Sequence, residues 1–76
     1  MNLNEINTND LILKVLTHKK CKINKKGKLF VYNVDGLSVT VTPAISKKID
    51  TFISNKRYKM LSEFIDIYSS MFITNF

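Results

Sequence analysis

Tryptophan is absent from this chain of 76 residues, and Cys, His and Pro occur once each. The single Cys21 excludes an internal disulfide. With only His18 beside it, it cannot complete a four-ligand zinc site of the Cys/His kind. Only two glycines are present, so there is no Gly-rich phosphate loop, and no HExxH or GxSxG sequence occurs. Uninterrupted apolar runs are a few residues long, far below the roughly 20 needed to cross a bilayer. The opening MNLNEINTND is polar and slightly acidic, so no secretory signal is expected and cytoplasm is the default compartment. No cofactor is implied.

What the chain does hold is positive charge. The formal net charge is +6, from twelve Lys and Arg against six Asp and Glu. Seven of the twelve lie between Lys14 and Lys28 with no carboxylate among them. Residues 1–13 carry −2, 14–28 carry +7, 29–46 carry −1, 47–59 carry +4 and 60–76 carry −2. Such segregation attracts phosphate or carboxylate surfaces and accelerates encounter with them.

The size bounds the fold to one domain over residues 1–76, and a 45% hydrophobic content suffices for one small core. Asn7 reads as a helix N-cap, Asp10 suits the positive end of the dipole, and Ile6 with Leu11 matches a hydrophobic staple. Leu11, Ile12, Val15 and Leu16 then recur at helical spacing, which predicts a helix over about residues 8–18.

The next stretch alternates. Asp35-Gly36 is a strong two-residue hairpin signal, because both positions need positive φ. Pairing outward from it sets Val34 against Leu37, Tyr32 against Val39 and Phe30 against Val41 on one apolar face. The other face takes Asn33 with Ser38, Val31 with Thr40 and Leu29 with Thr42. Lys26-Gly27 reads as a second turn, pairing Ile23 with Phe30 and Cys21 with Tyr32. Lys22 and Asn24 would then lie on the polar face.

Thr42-Pro43 is a helix start, with Ile45, Ile49, Phe52 and Ile53 as its apolar stripe. Ser54-Asn55 suggests a break. A further helical pattern runs from about Lys56 to Phe72, with rows Leu61, Phe64, Ile65, Tyr68, Phe72 and Met60, Phe64, Ile67, Met71, wider than one buried stripe needs. The expected fold is α+β, in the order α-β-β-β-α-α: a three-stranded antiparallel meander with helices packed on one face.

Catalytic candidates are weak. Glu63 and Asp66 are spaced i, i+3 on the solvent side of the last helix. His18 has no positioned partner in sequence, as a general base would need. Cys21 points at the expected core, where a thiol behaves as a small apolar group. If exposed among lysines its thiolate would be favoured, which leaves a thiol chemistry as the least favoured reading. A non-enzymatic protein is therefore expected.

The expected partner-binding residues are Lys19, Lys20, Lys22, Lys25, Lys26 and Lys28, joined by Lys56, Arg57 and Lys59. Part of this charge serves solubility and protects sheet edges. The remainder would dock an acidic protein surface or a nucleoprotein complex. Direct, largely nonspecific DNA or RNA binding by a basic dimer is the alternative. The inward register of Phe30 and Tyr32 argues against a stacking platform, and the scarcity of Arg argues against base readout. Met60, Ile67, Met71 and Phe72 are the expected homodimer contacts.

The order of elements, with Asn9-Asp10-Leu11-Ile12 in the first helix, Asp35-Gly36 in the hairpin and Phe52-Ile53-Ser54 in the next helix, resembles the small phage-encoded anti-CRISPR proteins that inhibit Cas9. That resemblance implies a phage or mobile-element protein that modulates nucleic-acid machinery. It differs in charge: the family's acidic member imitates DNA with carboxylates, which a chain of +6 cannot do. No interface residue is carried over.

Overall fold

The computed structural model describes residues 8–76. The expected Asn7 cap and the Ile6 half of the staple lie outside them. Helix α1 spans Thr8–Thr17, with Asp10 in its first turn and Ile12, Val15 and Leu16 buried. Strands β1 (Lys22–Lys26), β2 (Leu29–Val34) and β3 (Leu37–Val41) follow. Helix α2 covers Pro43–Ser54 and α3 covers Tyr58–Ile67. A 3-10 turn at Ser69–Met71 leads into β4, Ile73–Asn75.

The sheet is antiparallel throughout, in the order β1-β2-β3-β4. The α+β class stands as expected, with a fourth strand added to the meander. That strand is three residues long and pairs Ile73 with Thr40, Val39 with Thr74, and Ser38 with Asn75. The last helix is correspondingly shorter than its apolar pattern suggested. It ends at Ile67, where the Tyr68 N–H still donates to the Phe64 carbonyl, before the chain turns through Ser69 and Ser70.

The β2–β3 hairpin has the expected register, from Val34↔Leu37 to Phe30↔Val41. Asp35 (φ 47°) and Gly36 (φ 85°) are both left-handed, the mark of a type I′ turn. The β1–β2 turn is displaced by one residue from expectation. Its central residues are Gly27 and Lys28, closing Lys26↔Leu29. Only Gly27 has positive φ (63°), which fits a type II′ turn with Gly in first position. Ile23 therefore pairs with Tyr32, Asn24 with Val31, and Lys25 with Phe30. The partner of each β1 residue moves by two, so the faces are preserved.

Helices cover one sheet face. Tyr32, Val34, Val39 and Val41 meet Ile12, Val15 and Leu16 of α1, Ile45 and Ile49 of α2, and Leu61 and Ile65 of α3 in one core. Thr42 caps α2: its Oγ1 accepts from the Ile45 N–H at 3.4 Å, and Pro43 occupies the first helical position. The α2–α3 break is real. Asn55 is the C-cap, Lys56 follows at φ 55°, the Lys56 N–H donates to the Ile53 carbonyl and the Arg57 N–H to that of Phe52. These two bonds make a Schellman motif with Lys in the place usually held by Gly.

One polar pair is built into the core. The hydroxyls of Tyr32 and Ser46 are 2.7 Å apart and buried, and the Tyr32 hydroxyl lies 3.5 Å from Asp50 Oδ1. This pins α2 above β2.

Candidate functional site: the lysine edge

β1 is the outermost strand on its side of the sheet, and all five of its residues are exposed. The helices sit over β2 and β3 and stop short of it. Ile23 shows the result: it lies on the helix-side face beside Tyr32, yet it is 53% exposed. The strand is thus a projecting edge with both faces wet.

Its lysines alternate between those faces. Lys22 and Lys26 join Asn24 on the open face, and Lys25 stands on the opposite face beside Phe30. Sequence reasoning placed Lys25 and Lys26 around the turn. The one-residue displacement of that turn moves both into the strand, so Lys26 joins Lys22 on the open face. Lys28 occupies the turn itself, which is why it projects beyond the sheet.

At the other end, Lys19 and Lys20 form the bend between α1 and β1. The Lys20 N–H donates to His18 Nδ1 at 3.0 Å, and the Cys21 N–H donates to the His18 carbonyl at 3.2 Å. His18 is therefore a bend anchor, with Nδ1 engaged as an acceptor. Cys21 is half-buried against the core, and burial pushes its thiol pKa up while a backbone hydrogen bond with Asn33 opposes this. A raised pKa is the reverse of what a reactive thiol needs.

The open face behind this edge is made of cross-strand rows. Lys22, Asn33, Ser38 and Asn75 form one, and Asn24, Val31, Thr40 and Ile73 another. Amides and hydroxyls dominate, no aromatic ring is present in these rows, and Phe30 and Tyr32 face the helices. This arrangement can hydrogen-bond and attract an anionic surface. It cannot stack bases.

The second basic group is carried by a different element. Lys56, Arg57 and Lys59 are exposed at the α2–α3 joint, where Arg57 Nη1 approaches Met60 Sδ at 3.6 Å. The apolar residues at the end of the chain divide. Phe72 is only 6% exposed and belongs to the core, in edge contact with Phe64, so it is not available as a dimer contact. Met60, Ile67 and Met71 are exposed.

Among the described residues, the carboxylates singled out in sequence are not brought together with His18 or Cys21 by any hydrogen bond. Glu63 and Asp66 are exposed, and Asp66 Oδ1 accepts from Asn9 Nδ2 at 2.9 Å. A cleft of about 210 Å³ between α1 and the β2–β3 turn is lined mainly by Leu11, Val15, Val34 and Leu37, with Lys14, His18 and Asp35 at its margins. Among the described residues, no three His, Cys, Asp or Glu side chains are grouped to hold a metal ion. No helix among them is long and apolar enough to cross a membrane.

No family model, curated protein or solved structure matches this chain.

Sequence reasoning missed the buried Ser46 and the strand at Ile73–Asn75. Ser46 had a signal: it sits beside Ile45 in the stripe, four residues before Asp50, on the side of α2 that faces Tyr32. The strand had almost none, since Phe72 and Ile73 continue a helical pattern as readily as they begin an extended one.

Proposed function

We propose that this protein is a non-enzymatic binding module that inhibits or modulates a nucleic-acid-processing complex in the cytoplasm by docking its lysine edge on an acidic surface of that complex. The observation that carries this reading is that every residue of β1 is exposed, with Lys22, Lys25 and Lys26 on both faces and Lys28 on the adjoining turn. Charges presented this way steer encounter and fix register more than they supply raw affinity. The choice of a nucleic-acid-processing complex, and of a phage or mobile-element origin, rests on the likeness of element order to phage-encoded Cas9 inhibitors.

Replacing Lys22, Lys25, Lys26 and Lys28 together by Ser tests it. All four are exposed, so circular dichroism and the urea midpoint should be unchanged within about 0.5 kcal/mol. Affinity-purified native-host extract should yield a nucleic-acid-processing complex with the natural protein and lose it with the variant. Equal capture by both proteins refutes the edge as the docking site.

The open face favours one second reading. Lys22 and Lys26 at the rim of amide and hydroxyl rows suit contact with a phosphate backbone independent of sequence. Retention of free duplex DNA or RNA at about 50 mM salt, lost steeply as salt rises, would establish it. No retention at that salt leaves the protein partner.

A further inference from the structure

Among the described residues the sheet has a second unpaired edge, and its chemistry is the opposite of the first. β4 is the terminal strand beside β3 and carries no charge in Ile73-Thr74-Asn75. Among the described residues, seven of the eight exposed large hydrophobics fall between Tyr58 and Phe76. Ile67, Tyr68, Met71, Ile73 and Phe76 all fall within the last ten residues, from the end of α3 through β4, and Ile67 is 73% exposed. Residues 60–76 hold no Lys or Arg, whereas the whole chain carries +6. A contact made through these residues alone therefore brings no lysines together.

We propose that β4 pairs antiparallel with β4 of a second copy across a two-fold axis at Thr74. The register follows from alternation along antiparallel strands. The Asp35-Gly36 turn makes Val34↔Leu37 a hydrogen-bonded pair, so Leu37, Val39 and Val41 direct their backbone groups to β2. Ser38 and Thr40 direct theirs to β4, where Asn75 and Ile73 answer them. The N–H and carbonyl of Thr74 are left pointing outward. Thr74 opposite Thr74 of the second copy forms the central pair, and Ile73 of each copy lies beside Asn75 of the other. The contact is self-complementary, as a two-fold interface must be. It joins two four-stranded sheets into one of eight strands. It does not depend on what the lysine edge binds.

Sedimentation of the natural protein at up to about 1 mM should show a species of twice 8.8 kDa. Thr74→Pro removes the outward N–H without taking a bond from β3 and should weaken association at least about tenfold. Because a new Pro can loosen β4 itself, Ile67→Lys serves as the second variant. It alters no backbone group of the strand and should also weaken the dimer. Raising salt should strengthen association, since it screens repulsion between two like-charged copies. A strict monomer over the whole concentration range overturns the proposal, as does a dimer indifferent to both substitutions.

Discussion

Tyr32 ties β2 to α2 through a single oxygen. Its ring fills the core at 2% exposure, and its hydroxyl meets Ser46 of α2 at 2.7 Å. A buried hydroxyl without a partner is costly, so the pair dictates where α2 must lie. Tyr32→Phe should lower stability by about 1–2 kcal/mol in urea denaturation, because Ser46 then loses its buried partner. Ser46→Ala should cost less, since the Tyr32 hydroxyl keeps Asp50 within 3.5 Å. Titration follows from the same burial. Desolvation raises the Tyr32 pKa, the Ser46 bond opposes this, and the Asp50 charge adds to it. Cys21 is also raised by burial. The folded state thus holds both protons to higher pH than the unfolded chain does. Stability should be full below the unfolded values, about pH 8.5 for Cys and about pH 10 for Tyr, and should fall as pH rises through the folded ones. Urea midpoints taken from pH 7 upward should show that decline. Cys21→Ala should delay its onset into the tyrosine range, and an unchanged onset would mean that the thiol takes no part.

At the scale of elements, turn chemistry decided what could be read in advance. Asp35-Gly36 supplies two residues tolerant of positive φ, so the β2–β3 register was legible to the residue. Lys26-Gly27-Lys28 offers one glycine and two possible centres, and the type II′ preference for Gly in first place selects the later one. The faces survived that displacement because it moves each partner by two. β4 was illegible for another reason: three residues become a strand only because Ser38 and Thr40 have backbone groups to satisfy. Of the candidate binding residues, the grouping of the edge lysines was legible in sequence, whereas Phe72 could not be assigned to core or surface without knowing where α3 ends. The α2–α3 joint provides a direct test. Lys56 holds φ 55° in a Schellman motif at a position where Gly carries no steric penalty. Lys56→Gly should raise stability by about 1 kcal/mol, visible as a higher melting temperature. A loss instead would show that the Lys56 side chain, rather than its backbone, matters at the joint.

For the whole molecule, the partition of charge separates the two proposed contacts, which salt should move in opposite directions. Docking through Lys22, Lys25, Lys26 and Lys28 should weaken as ionic strength rises from about 50 to 500 mM, while self-association at β4 strengthens. Titrating one preparation for both readouts over that range checks the two proposals against each other; a common direction would contradict one of them. The asymmetry of the sheet has a further consequence. A sheet whose two edges were alike and apolar could add copies without end, the geometry of a fibre. Here one edge is neutral and the other bristles with lysines. When two copies meet at their neutral edges, both outer margins of the joined sheet are cationic, and a third copy finds no neutral edge to extend. If both proposals hold, growth terminates at two, and the lysines proposed to dock an acidic partner would also keep the protein from polymerising with itself.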